Sequence, residues 1–146
     1  MERAECVVVF GATELFAELR RVDDWPDFVE GLNAIEQLGH HRYRWDLVYA
    51  GSPRLVDVVL SFDHRRRSIS WKSRHRPRFD GGLRLAPLDA HRTRIHLWMS
   101  VEPVGLVQSL TEPGLTNAMV ARNLQRLSDW TATRRHAPAE RVDVDF

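Results

Sequence analysis

The feature that most constrains the fold is an alternation of apolar and polar residues between positions 43 and 101. Successive segments that show it begin at Tyr43, Val56, Ile69, Leu83 and Ile95. Neighbouring side chains of a strand point to opposite faces, so each segment predicts a strand with one buried face. Short turns separate the segments, and strands at this spacing are typical of an antiparallel meander.

The residues before the meander predict a strand and two short helices. Glu5–Phe10 is rich in β-branched residues and predicts the first strand. Apolar residues at helical spacing follow Thr13, which has a side chain suited to an N-cap. A second short helix is predicted with Asp24 as its cap, Pro26 in its first turn and Gly31 beyond its end.

The period becomes helical again after the meander, from Leu115 to about Arg135. Val120, Leu124 and Leu127 form one apolar stripe of this predicted helix. A curved sheet with a single apolar face needs an element to cover it, and this helix is the only candidate of sufficient length. The order of one strand, two short helices, about six strands and a long helix predicts an α+β fold.

Composition excludes several classes of function. The 21 basic and 20 acidic residues give a net charge of +1, which provides no whole-domain attraction for nucleic acid. Cys6 is the only cysteine, so no intramolecular disulfide or cysteine-based zinc site can form. The histidines show no paired spacing with acids, and no run approaches the roughly 18 apolar residues of a membrane span. We expect a cytoplasmic protein without metal or cofactor, with one domain over residues 1–136 and a flexible tail over 137–146.

Four stretches of the chain carry a resemblance to a known family. They are VVVFGATELFAELRRVDDWPDF near the start, SISWKS in a predicted strand, LAPLDAHRTRIHL before the last strand, and NLQRL in the final helix. In their order and spacing they resemble the START/polyketide-cyclase superfamily, also called SRPBCC or helix-grip, over essentially Ala4 to Arg135. The resemblance implies a sheet of about seven strands wrapped around the long helix. An apolar cavity would lie between them, with the two short helices at its mouth.

The alternation and the resemblance together give the candidate site residues. Trp25 and Phe28 would lie at the cavity mouth, either as anchors of the core or as a gate for ligand entry. The resemblance places Asn123 of NLQRL in the cavity, where Asn123, Tyr49 and His75 are the candidate catalytic donors or proton shuttles. The predicted ligand-binding residues, on the inward face of the strands and the helix, are Tyr43, Trp45, Val58, Leu60, Trp71, Ser73, Leu85, Leu97, Met99 and Val120. Each polar residue could instead be satisfied by local hydrogen bonds.

Two functions from different classes fit this interpretation. The first is the binding of an apolar, polyketide-like or aromatic molecule and its cyclisation or dehydration. Its substrate would be free or presented by an acyl carrier protein. The basic stretches DHRRR (63–67) and RHRPR (74–78) could attract such a carrier or another anion, but solvated hairpin tips are the more common role of such runs. The second is a non-catalytic carrier or chaperone for a hydrophobic ligand such as a lipid or quinone. The strand Val56–Phe62 offers only apolar side chains inward. The resemblance implies polar residues there, including an arginine, in aromatase/cyclases, so this departure argues against a multi-step aromatase and favours a simpler cyclase or dehydratase, or a pure binder.

A third alternative is a protein-binding module without a ligand, which would require a filled core. The alternation also predicts which side chains face away from the helix. His96, Trp98 and Lys72 should lie on the outer face, opposite Tyr49, Ser73 and Leu97, because a slip of one residue reverses every side chain. An outward Trp98 would be a possible contact with a partner or a second copy, so both a monomer and a homodimer fit the sequence.

Overall fold

The computed structural model describes residues 1–49, 51–102 and 117–134, and the side chain of Tyr49 lies outside this description. The strands are β1 (Glu2–Val8), β2 (Leu32–Gly39), β3 (Arg42–Tyr49), β4 (Ser52–Asp63), β5 (Ser68–Ser73), β6 (Phe79–Pro87) and β7 (Thr93–Val101). The helices are α1 (Ala12–Leu19), the 3-10 helix Val22–Asp27 and α2, which is described over residues 117–134. The predicted ends of the long helix, Leu115 and Arg135, and the predicted tail lie outside the described residues.

The strands of the described residues form one antiparallel sheet with the order β1-β7-β6-β5-β4-β3-β2. Strands β2 to β7 follow one another as a meander. β1 extends the sheet beyond β7, in a register that joins Glu2 to Met99 and Val8 to Thr93. The sheet and α2 confirm the predicted α+β, helix-grip architecture.

Strand β2 is not visible as an alternation in the sequence. Leu32 is buried, Ile35 and Leu38 are half-buried, and their spacing is three residues rather than two. The register between β2 and β3 shifts between Leu32 and Ala34 and again near the end of the strand. An irregularity of this kind adds a residue to one strand, which breaks the period of two.

Helix α1 begins at Ala12, two residues earlier than the predicted Thr13 cap would allow. Gly11 is its N-cap residue, and Leu15 N–H donates to the Gly11 carbonyl at 2.8 Å. Thr13 is exposed inside the helix. A Cβ atom at Gly11 would lie 2.9 Å from the Ala90 carbonyl oxygen, so the close approach of the β6–β7 turn favours glycine here.

The second short helix is a 3-10 helix, which corrects the prediction that Asp24 caps it and that Pro26 lies in its first turn. Its first residue is Val22, and both Asp24 and Pro26 lie inside it. With three residues per turn, Val22, Trp25 and Phe28 share one face, and all three are buried. Burial of this face explains why the helix begins at Val22.

Helix α2 packs its apolar stripe against the sheet. Val120, Leu124 and Leu127 are buried, whereas Arg122 and Gln125 are exposed. This arrangement confirms the predicted orientation of the long helix.

The faces of the sheet confirm the predicted register wherever side chains are described. Ser73 and Leu97 are buried and Lys72 is exposed. His96 and Trp98 alternate with the buried residues of β7 and are half-buried. Trp98 is therefore less exposed than an unpacked surface aromatic.

Two adjacent glycines of β6 make room for tryptophans on both faces of the sheet. Gly81 pairs with Trp71 on β5, and Gly82 pairs with Trp98 on β7. A Cβ atom at Gly81 would lie 2.5 Å from Cζ2 of Trp71, and one at Gly82 would overlap the ring of Trp98. Trp71 can therefore point toward α2 while Trp98 covers the outer face.

Candidate functional site

Three tryptophans from distant parts of the chain meet between the sheet and the helices. Trp25 comes from the 3-10 helix, Trp45 from β3 and Trp71 from β5. Their ring centroids are 5.9 Å apart for both pairs that include Trp25 and 5.7 Å apart for the pair Trp45 and Trp71. Trp25 Nε1 donates to the Leu19 carbonyl at 2.8 Å, which fixes the orientation of its ring. Trp25 is thus an anchor of the core.

A small apolar cavity of about 30 Å³ lies beside these tryptophans. The described residues that line it are Trp25, Phe28, Val29, Trp45, Trp71, Phe79, Leu83, Leu97, Met99, Asn123 and Leu127. This volume is sufficient for about one water molecule. Pockets for drug-sized ligands measure about 300–1,000 Å³. A larger ligand can therefore enter only if wall residues move.

Among the described residues that line the cavity, Asn123 is the only one with a side-chain amide. It is buried, with 7% of its surface exposed. Its Oδ1 accepts a hydrogen bond from the backbone N–H of Glu30 at 2.6 Å, which also fixes the orientation of the amide. Its Nδ2 lies 3.8 Å from Sδ of Met99, which is only a weak acceptor. The alternative that a polar inward residue is satisfied by a hydrogen bond within the protein thus describes the oxygen of Asn123. Met99 Sδ is the one acceptor found for its amino group among the described residues.

The chain between residues 24 and 30, which we call the mouth segment, is fastened to α2 by polar contacts. Arg122 forms an ion pair with Glu30 through two hydrogen bonds, Arg126 Nε donates to the Phe28 carbonyl at 3.2 Å, and Arg134 Nη2 donates to Asp24 Oδ2 at 3.1 Å. The hydrogen bond with the Glu30 carboxylate raises the pKa of the Arg122 guanidinium above its usual value. Arg122 is half exposed. The mouth segment supplies three of the residues that line the cavity, Trp25, Phe28 and Val29.

Ser73, predicted to bind ligand, uses its polar atoms to hold the β5–β6 connection. Its hydroxyl donates to Asp80 Oδ1 at 3.0 Å and accepts from the backbone N–H of Phe79 at 3.0 Å. Its own backbone N–H also donates to Asp80 Oδ1. The local alternative expected for polar inward residues therefore describes Ser73.

His75 lies away from Asn123, which corrects the expectation that the inward face continues to this position. β5 ends at Ser73, so the alternation stops before His75. The imidazole is exposed and borders a solvent-open groove beside Arg44 and Arg76. A shared catalytic site of His75 and Asn123 is not formed in this conformation.

The remaining predicted residues divide into cavity walls and surrounding core. Trp45, Trp71, Leu97 and Met99 line the cavity, together with the predicted mouth residues Trp25 and Phe28. Val58, Leu60, Leu85 and Val120 are buried in the core outside the lining, and Tyr43 is half-buried at its edge. The side chain of Tyr49 lies outside the described residues.

Sequence reasoning missed four wall residues. Val29, Phe79, Leu83 and Leu127 line the cavity but were not among the candidates. Leu83 and Leu127 lie in the alternation and in the helical stripe, so the pattern contained a signal for them. Val29 lies in the turn after the 3-10 helix and Phe79 is the first residue of β6, so neither is inside a run whose period indicates the facing.

Within the part of the chain that the structure describes, no three metal-ligating side chains cluster together. No described helix has the length and apolar character needed to cross a membrane.

Comparisons with solved structures place this architecture in a known fold. A protein of Thermus thermophilus superposes with a TM-score of 0.75 at 17% identity, covering 88% of this chain and 94% of that one. The Zhui aromatase/cyclase of Streptomyces sp. R1128 gives 0.72 at 19% identity, covering 90% and 93%. A START superfamily protein of Mycobacterium smegmatis gives 0.70 at 14% identity, covering 88% and 97%. No protein-family model matches the sequence, and a comparison with curated proteins found no match. The chain has the helix-grip fold that these structures share.

Proposed function

We propose that this protein binds an apolar, ring-containing small molecule between the sheet and α2, against Trp45 and Trp71. The observation that carries the proposal is the buried Asn123 amide, whose Nδ2 meets only a thioether in an otherwise apolar wall. A wall of aromatic and aliphatic side chains with few polar groups is typical of a small-molecule site. A ligand oxygen at Nδ2 would supply the acceptor that Met99 provides only weakly.

Entry of such a ligand requires the mouth segment to move. The ion pair of Arg122 with Glu30 and the contacts of Arg126 are at the surface, and exposed ion pairs contribute at most about 1 kcal/mol each. Burying about 200 Å² of apolar ligand surface, the area of a large aromatic side chain, contributes about 5 kcal/mol. The gain on binding therefore exceeds the cost of breaking these surface contacts, and displacement of the buried Trp25 and Phe28 side chains adds to that cost.

The described wall supports binding more directly than it supports catalysis. Cyclisation or dehydration needs an oriented chain, a donor to a carbonyl oxygen and a group that moves a proton. Asn123 can be the donor, but the described lining contains no titratable side chain. We therefore infer a carrier or chaperone for a hydrophobic ligand, such as a quinone or another aromatic ketone, as the first candidate.

A polyketide cyclase or dehydratase is the second candidate, and the placement of the Asn123 donor favours it. The likeness to the Zhui aromatase/cyclase supports the same idea at the level of the fold. The substrate would then be a polyketide-like chain, free or presented by an acyl carrier protein. A ligand-free protein-binding module needs a filled core, and a cavity of about 30 Å³ is close to that condition. The weakly partnered Asn123 amide is the observation that favours a ligand instead.

The experiment compares wild type with Asn123→Ala and Asn123→Leu in unfolding, affinity for the aromatic ketone 1-tetralone, and turnover of a linear poly-β-keto thioester. Ring formation is followed by absorbance and loss of water by mass. Ketone binding without turnover in wild type supports the carrier. Turnover that both folded variants lose supports the cyclase or dehydratase. If wild type binds neither compound, the proposal is wrong.

A further inference from the structure

Two of the tryptophans that line the cavity have an indole N–H without a hydrogen-bond partner among the described residues. Nε1 of Trp45 and Nε1 of Trp71 are fully buried, and neither atom forms a hydrogen bond within the part of the chain that the structure describes. Trp25, the third member of the cluster, has its N–H satisfied by the Leu19 carbonyl. A tryptophan in this cluster can therefore form an indole hydrogen bond, as Trp25 does. Trp45 and Trp71 form none among the described residues.

A buried donor without an acceptor is unfavourable, because the group has lost its hydrogen bonds to water. Buried tryptophans usually find a partner for Nε1. Trp130 also has a buried, unpaired Nε1, but its ring packs on Phe28, with centroids 5.0 Å apart, and does not line the cavity. The unusual feature is that two such donors belong to residues that line one cavity.

We propose that Trp45 Nε1 and Trp71 Nε1, together with Asn123 Nδ2, donate hydrogen bonds to an oxygen of a ligand bound in the cavity. We call this group of three donors the acceptor site, because it binds an acceptor oxygen. The inference rests on the proposed function and names the ligand class: a ring-containing molecule with carbonyl or phenolate oxygens. The three groups are donors, and the nearest acceptor, Met99 Sδ, is weak. The site therefore selects against pure hydrocarbons and against ligands whose polar groups only donate, such as ammonium compounds.

The test uses two probes of nearly equal size, 1-tetralone, which carries a ketone oxygen, and tetralin, which lacks it. Wild type should bind the ketone about tenfold or more tightly than the hydrocarbon. Trp45→Phe and Trp71→Phe should each reduce this preference several-fold. Because both probes experience the same loss of ring volume, the ratio of their affinities isolates the N–H group. Trp130→Phe, which removes an unpaired N–H outside the cavity, should leave the ratio unchanged.

A second measurement on wild-type protein does not depend on variants that fold. In a ¹H–¹⁵N spectrum the indole N–H signals of Trp45 and Trp71 should move further downfield with 1-tetralone than with tetralin, because both probes carry an aromatic ring but only the ketone accepts a hydrogen bond. If both probes bind with equal affinity and move the signals alike, the proposed function stands and the acceptor site is overturned. The acceptor site is also overturned if a water molecule remains bound to both N–H groups in the ketone complex. If neither probe binds, the proposed function itself fails, and the acceptor site with it.

Discussion

The backbone N–H of Glu30 donates to Oδ1 of Asn123 at 2.6 Å, across 93 positions of sequence. The contact joins the mouth segment to α2 at the edge of the cavity that Asn123 lines. One side chain therefore holds the mouth segment with its oxygen, while its nitrogen contacts the cavity-lining residue Met99. Ligand binding and opening of the mouth should be coupled through it.

Asn123→Asp separates these two roles. Aspartate keeps an acceptor for Glu30 N–H but removes the Nδ2 donor, whereas Asn123→Ala removes both. We expect Ala to lower the free energy of unfolding by about 1–3 kcal/mol, because Glu30 N–H loses its acceptor. Both variants should bind 1-tetralone more weakly, by about tenfold. Urea unfolding and calorimetric titration measure the two effects. Full ketone affinity in Asn123→Asp would show that Nδ2 does not contact the ligand.

Arg122→Ala should loosen the mouth with little effect on stability. The Arg122–Glu30 pair is half exposed, so its loss should cost no more than about 1 kcal/mol. Association and dissociation of 1-tetralone should both become faster in stopped-flow fluorescence, since opening is easier. Arg92→Ala breaks a similarly exposed pair with Asp89 in the β6–β7 turn and is the matched control. Equal rates in wild type, Arg122→Ala and Arg92→Ala would mean that this ion pair does not restrain the mouth.

Gly81→Ala should be more damaging than Gly82→Ala. A Cβ atom at Gly81 meets the buried ring of Trp71 at 2.5 Å, and this ring is confined by the tryptophan cluster. At Gly82 the obstructing ring belongs to Trp98, which is half-buried on the outer face and has space to move. Overpacking of this kind costs about 1–3 kcal/mol, and we expect Gly81→Ala to reach the upper part of that range. Chemical denaturation of both variants gives the comparison, and the reverse order would contradict the assigned facing.

Leu124→Ala tests the packing of α2. Leu124 is 6% exposed, so its truncation should lower the free energy of unfolding by about 2–5 kcal/mol. The exposed neighbour Gln125→Ala should change it by less than about 0.5 kcal/mol. Similar losses in the two variants would argue against a buried stripe.

Periodic features of the sequence predicted the fold. Elements without a regular period, such as β2, could not be recognised from the sequence. Alternation in β4, β5 and β7 depends on one buried face, so Leu60, Trp71 and Leu97 could be placed inward. β2 lost its period at register shifts and could not be recognised in the same way.

The candidate site was predictable only where its residues lie in such patterns. The inward facing of Trp45, Trp71 and Met99 could be predicted, because these residues lie inside regular strands. The contact of Glu30 with Asn123 depends on how the mouth meets α2, and His75 follows the end of a strand, so local pattern could not place either.

The most direct test of ligand binding between sheet and helix is an NOE experiment on protein with ¹³C-labelled methionine methyl groups and saturating 1-tetralone. Met99 lines the cavity, whereas Met1 is 70% exposed and serves as an internal control. The account predicts NOEs from the aromatic protons of the probe to the Met99 methyl and none to Met1. NOEs to Met1 alone, or none to Met99 at saturation, would contradict binding in this cavity.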